Sequence, residues 1–116
     1  EEIRRLLEFF GSASKGPSSG RGCLLCNTAV EFGPKDPSGS QFVQHYFKRL
    51  SKAFHTSLAN AKCEDKLRDS VALKEEADFF TSATLGSFVM IRARAPAKII
   101  ENAATIAIRH LEGLCV

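Results

Sequence analysis

The sequence predicts an all-α domain, a five-helix orthogonal or antiparallel bundle that dimerises through a four-helix bundle of the last two helices. Three observations carry this reading. Apolar residues recur at spacings of three and four along most of the chain, the period of a helix with a buried face. Gly33-Pro34, Asp36-Pro37 and Pro96 punctuate those runs, and glycine and proline are helix stop and start signals. The run from Arg21 to Gly33 is apolar on almost every side, so a short helix there must lie among other helices.

Taken in order, Glu1 to Phe10 reads as a helix with Ile3, Leu6, Leu7 and Phe10 on one face. Residues 11–20, rich in Gly and Ser, read as a flexible loop. The buried run follows and stops at Gly33-Pro34, where glycine suits a left-handed cap. Asp36-Pro37 is an N-cap with proline in the first turn. It opens a long amphipathic helix from Pro37 to about Lys62, with an apolar stripe of Phe42 or Val43, Tyr46, Phe47, Leu50, Phe54, Leu58 and Ala61. Lys48, Arg49, Lys52 and His55 take its wetter side.

Glu64 to Asp69 is a polar connector, and Asp69 or Ser70 can cap the next helix, Val71 to about Ala93. That helix carries two apolar lines, one through Leu73, Ala77, Phe80, Thr84, Phe88 and Ile91, the other through Phe79, Ala83, Gly86, Met90 and Ala93. Two lines mean two buried faces. Pro96 begins the last helix, Ala97 to Leu114, whose polar strip of Glu101, Thr105, Arg109 and Glu112 is narrow. So much apolar surface on a terminal helix would be poorly covered in a 116-residue monomer and marks a partner surface. We read a homodimer, with Phe79, Ala83, Gly86 and Met90 from one helix at the contact, and Ile99, Ala103, Ile106 and His110 from the other. Small residues such as Gly86, Ala103 and Ala107 let helices approach closely.

Composition narrows the function. The 116 residues form one domain, 44% apolar and 25% charged, with a net charge of +3, which is ordinary for a soluble protein. The basic residues are spread along the chain among acids, which argues against a nucleic-acid surface. No apolar run approaches the roughly 20 residues needed to cross a membrane, and no signal peptide opens the chain. The cytoplasm is therefore the expected compartment. Glu1 already stands inside a helical pattern without an initiator methionine, so the chain is expected to be a piece of a longer protein. Cys23, Cys26, Cys63 and Cys115 sit in or beside helical apolar patterns, where free thiols act as small hydrophobes. Cys23-x-x-Cys26 lacks a preceding strand for a redox motif and a second paired spacing for zinc. No metal site and no cofactor are expected. His45 and His55 read as solvent-facing and His110 as interfacial. No nucleophile, base or paired carboxylates stand out by spacing, so the chain does not read as an enzyme.

Nine phenylalanines among 116 residues carry more weight. Phe42, Tyr46, Phe47, Phe54, Phe80 and Phe88 would converge between the long helix and the next. One outcome is an aromatic core. The other is an apolar cavity with a few polar tips, the make-up of a small-molecule pocket. Candidate ligand-lining positions are Cys26, Asn27 and Val30 from the buried run, and Phe42, Tyr46, Leu50 and Phe54 from the long helix. Phe80, Thr84, Ser87 and Phe88 complete the set.

The order Arg-Gly-Cys-Leu-Leu-x-Asn-Thr-Ala-x-Glu at 21–31, the Asp-Pro start at 36–37, the run from Thr84 to Ala95 and the last apolar helix together resemble the C-terminal domain of TetR-type (tetracycline-repressor-like) transcriptional regulators. The resemblance covers nearly the whole chain. It implies a domain that dimerises and holds a small-molecule inducer, while an N-terminal helix-turn-helix domain reads the operator. That reader is expected to lie outside this sequence, so operator DNA is expected only through the missing domain. The implied function is effector sensing and dimerisation in a bacterial repressor, with an unknown small apolar effector and no membrane partner. The alternative is a ligand-free helical module that binds another protein. Two departures from the family pattern stand out, Glu64-Asp65-Lys66 in place of a glycine after the long helix and a longer loop at 11–20.

Overall fold

Three- and four-residue apolar spacing becomes helix throughout the described part of the chain. A computed structural model describes residues 1–13 and 37–116, and these form four helices: α1 (Glu2–Ala13), α2 (Pro37–Cys63), α3 (Leu73–Arg92) and α4 (Ala97–Leu114). The described residues are all-helical, apart from one isolated antiparallel bridge between Leu67 and Cys115. The expected loop start at Gly11 is corrected, because α1 runs on to Ala13. The expected helix within 21–33, with Cys23 and Cys26, lies outside the described residues.

α1 packs chiefly on α4, and α2 on α3. Ile3 and Leu7 of α1 are buried with Ile100, Ala107 and Leu111 of α4. Gly11 lies opposite Ala104, where an added Cβ would meet the Ala104 Cβ at 3.8 Å. Arg4 links the two helices from outside through Glu112 at 3.0 Å, an exposed pair of small energetic weight. Phe54 and Leu58 of α2 join Ala77, Phe80 and Ile91 of α3 in the same core. Phe42 does not start the α2 stripe. It is 57% exposed while Val43 is buried, because one residue further along the helix turns through about 100° and reaches the core face.

The connector after α2 is drawn into the core instead of lying on the surface. Leu67 and Val71 are buried. The Arg68 N–H donates to the Leu114 carbonyl at 2.9 Å and the Val116 N–H donates to the Lys66 carbonyl at 2.9 Å. This pairing fastens the tail after α4 to the connector. It also displaces the expected helix start: α3 begins at Leu73 with Ala72 as N-cap and no side-chain cap bond. Asp69 and Ser70 belong to the turn, where the Val71 N–H reaches the Arg68 carbonyl at 3.2 Å.

Both α2 and α3 end in the same six-residue motif. The Lys66 N–H donates to Ala61 and the Asp65 N–H to Lys62, each at 3.0 Å. After α3, Ala95 reaches Met90 at 3.0 Å and Arg94 reaches Ile91 at 3.2 Å. These are Schellman caps, which need a left-handed residue after the helix and favour glycine there. Asp65 (φ 58°) and Arg94 (φ 56°) occupy those places. The glycine missing after α2 is therefore replaced by a strained aspartate and not by a different turn.

α3 and α4 touch only sparingly, and a polar contact marks their crossing. His110 Nε2 lies 2.6 Å from Glu76 Oε2, and the Phe79 ring meets the imidazole edge-on at 5.0 Å between centroids. On the outer side of α3, Asp78 accepts hydrogen bonds from Lys74 Nζ at 2.8 Å and from the Ser51 hydroxyl of α2 at 2.7 Å. The Lys74 bond first, and the Ser51 bond second, hold the Asp78 carboxyl below the usual carboxylate range.

Left-handed backbone disfavours a Cβ by about 1–2 kcal/mol, least for Asp and Asn. Arg94→Gly is expected to raise the unfolding free energy by about 1 kcal/mol, and Asp65→Gly by less, as read from urea midpoints at unchanged slope. A double-mutant cycle of Glu76→Ala and His110→Ala should return a coupling of about 1 kcal/mol. Additive losses would mean the contact does not tie α3 to α4.

Candidate functional site

The seam between α2 and α3 gathers part of the expected aromatic cluster. Phe54 and Phe80 meet at 6.0 Å between ring centroids, and Phe80 is completely enclosed. Tyr46, Leu50 and Phe88 are half-buried along the same helices. Thr84 and Ser87 are buried. Phe42 stands apart on the exposed side of α2, so the six-ring convergence expected from the sequence is corrected to a smaller one. Cys26, Asn27 and Val30 lie outside the described residues.

α3 carries three buried hydroxyls, at Thr81, Thr84 and Ser87. Two are satisfied within the helix. Thr81 donates to the Ala77 carbonyl and Ser87 to the Ala83 carbonyl, both at 2.8 Å, the usual back-bond of a helical hydroxyl. Thr84 Oγ1, 3% exposed as a residue, has no hydrogen-bond partner among the described residues. Thr81 escaped the sequence reading. Its only signal was the four-residue spacing to Ala77, which any helical threonine shares.

Two cavities border α1. One, of about 200 Å³, has a floor of Ile3, Leu58, Ala61, Leu67 and Leu111, with Arg4, Lys66 and Glu112 at its rim. The other, of about 180 Å³, is shallower and runs past Leu6, Leu50, Ala53 and Phe54. Leu50 and Phe54 are thus the ligand candidates that line it, and Phe80, Thr84 and Ser87 line neither. Among the described residues no group of three His, Cys, Asp or Glu side chains could hold a metal ion. No described helix is long and apolar enough to cross a membrane.

α3 and α4 each present a second apolar face outward. Phe79, Val89, Ile99 and Ile106 are exposed large hydrophobics, Ile106 at 58%. Gly86 and Ala103 are exposed with them, and a Cβ added at Gly86 would meet nothing within 4 Å. Met90 and Ala83 are half-buried at the edge of this face. His110 sits there too, joined to Glu76. The missed partner was Glu76, whose 34-residue separation from His110 no spacing rule reveals.

Comparison with known proteins agrees with this architecture. Residues 1–107 match the family described as tetracyclin repressor-like, C-terminal domain. The uncharacterized HTH-type transcriptional regulator YezE of Bacillus subtilis (strain 168) is 30% identical over 67 residues, 58% of this chain. The match spans about a third (34%) of that relative's length. No solved structure matches. The four described helices, with their buried α2–α3 seam and outward apolar α3–α4 face, together with a family match over residues 1–107, make this chain a member of the tetracyclin repressor-like C-terminal domain family.

Proposed function

We propose that this chain is the effector-sensing and dimerisation part of a cytoplasmic TetR-family regulator, a repressor whose operator contacts belong to a helix-turn-helix segment outside this sequence. The observation that carries the reading is the division of α3 and α4 into opposite faces. Ala77, Phe80, Thr84 and Ile91 point into the protomer, as do Ile100, Ala104, Ala107 and Leu111. Phe79, Val89, Ile99 and Ile106 point out. An outward patch of large apolar side chains, opened by small residues at Gly86 and Ala103, suits a self-complementary two-fold contact between helix pairs. The sparing contact of α3 with α4 inside one protomer leaves both helices free to take neighbours from a second copy.

The effector would seat between α2 and α3, against Phe54, Phe80 and Phe88. A ligand shifts such a protein only by its difference in affinity for two arrangements. Here the moving part would be α3, because one of its faces meets the effector and the other the partner protomer. A bound molecule that displaces Phe80 or Thr84 would tilt Phe79 and Gly86 at the seam, and so alter the spacing of the DNA readers attached to each protomer. Nothing in this route requires bond chemistry, so the chain is read as a binding module.

Ile106→Glu places two carboxylates per dimer in an apolar seam and is expected to give a folded monomer in light scattering. Ile100→Glu, at a side chain 1% exposed, should instead lower the melting temperature of each protomer sharply. If Ile106→Glu stays dimeric with unchanged melting, the assignment of the outer face fails. A wild-type chain that is monomeric at all concentrations would assign that face to a different protein. Thermal-shift screening against neutral apolar compounds should raise the melting temperature for some of them, and a uniformly flat response would count against sensing.

A further inference from the structure

The outer face of α3 and α4 is not uniformly apolar. Along α3, Glu76, Phe79, Ala83, Gly86 and Met90 follow one another at alternating spacings of three and four. Along α4, Ile99, Ala103, Ile106, His110 and Gly113 do the same. An average step of about 3.5 residues is the repeat of a helix seam that packs against a partner along its length. Each seam carries a single polar residue, Glu76 on α3 and His110 on α4, and the two are joined, with His110 Nε2 2.6 Å from Glu76 Oε2. Neither is a loose surface chain. The Glu76 side chain is only 19% exposed, and the imidazole stands edge-on to Phe79 with ring centroids 5.0 Å apart. An ionised carboxylate only accepts, so Nε2 donates to it. Nδ1 is left without a partner among the described residues, on a side chain that is still 43% exposed.

We infer that the Glu76–His110 pair is the specificity element of the outer face, admitting a second copy of this chain in one register and rejecting a partner whose facing surface is wholly apolar. This rests on the reading of that face as a homodimer contact. In a two-fold contact, if residue i meets j then j meets i. A face that carries both a carboxylate and an imidazole is therefore complementary to itself at that point, the open Nδ1 of one copy turning to the Glu76 carboxylate of the other. Only one register brings the two pairs together. A slip of one heptad along the seam would set Glu76 level with Ala83, and His110 level with Ala103, of the second copy. Both polar groups would then lose water and gain no new bond. Polar residues at a single seam position fix register and oligomer state in this way, at a cost in affinity. Burial of Phe79 and Ile106 supplies the affinity, and the pair supplies the choice of partner.

The experiment reads affinity and register separately. Sedimentation equilibrium gives the dimer dissociation constant. Heteronuclear NMR of nitrogen-labelled protein reports register, because a symmetric dimer in one register shows a single signal for each backbone amide. The wild-type protein is compared with a leucine pair, Glu76→Leu with His110→Leu, and an exchanged pair, Glu76→His with His110→Glu. The leucine pair should stay associated with a dissociation constant lowered by about tenfold or more, while the amide signals of α3 and α4 split. The exchanged pair should restore single signals, with a dissociation constant within about threefold of wild type. A leucine pair with single signals and an unchanged dissociation constant would overturn the inference and leave the contact as a tie between α3 and α4 of one protomer, the homodimer reading still standing. An exchanged pair that is monomeric or shows split signals would also overturn it, and that protein decides alone should the leucine pair not fold. A wild-type chain that stays monomeric at every concentration would remove the homodimer reading and the inference together.

Discussion

Phe80 is the side chain around which the described helices take their places. It comes from α3, is wholly enclosed, and lies 6.0 Å from the Phe54 ring of α2 and 6.2 Å from the His110 ring of α4. A large aromatic in such a place contributes about 2–3 kcal/mol by burial alone, and neighbouring rings prefer tilted or edge-on contact. Its neighbour Phe79 packs edge-on against it at 5.2 Å and yet remains exposed. One ring is thus the centre of the core, and the next along the chain is the start of the outer face. Because α3 has one rotational setting, burying Phe80 fixes which residues look in and which look out.

That setting also explains why the molecule has a surplus of apolar surface. α2 covers one face of α3, and α1 covers one face of α4. Each pairing consumes one stripe. The remaining stripes of α3 and α4 lie side by side without a described neighbour, carrying Phe79, Val89, Ile99 and Ile106. The same helix, α3, then borders both the aromatic seam and the outer face, so a disturbance at one side has a short rigid path to the other.

Much of this was legible in the sequence where periodicity decides. The start of α4 after Pro96 and the start of α2 at Pro37 follow from proline placement, and the two apolar lines of α3 separate as their spacing requires. Ile100 falls inward and Ile106 outward for the same reason. Legibility stopped where a tertiary contact overrides a local signal. Asp69 and Ser70 are good capping residues, yet the connector is held by Leu67, Val71 and the tail after α4, and the helix starts later. Gly11 suggested a loop, but α1 runs on through it, where it packs opposite Ala104 with room for ordinary contact. Phe42 and Val43 could each have led the α2 stripe, and only the packed helix chooses. At the candidate site the sequence offered Thr84 as one polar tip among several. That its hydroxyl is the unmatched one depends on a rotamer, which no pattern of residue types encodes.

The pairing of residues 66–68 with 114–116 has a consequence for how the domain breathes. It brings the beginning of the α3 segment and the end of α4 together, through the Leu67–Cys115 bridge and an Arg68 guanidinium bond to the Cys115 carbonyl at 3.1 Å. The α3–α4 hairpin is thereby a closed loop, stitched at its base and capped by a strained turn at its tip. A loop of that kind opens as a cooperative unit and not by fraying from one end. Amide protons in the last turns of α4 would then exchange with the slow protons of the α3 core, and the two helices that carry the outer face would persist or dissolve together.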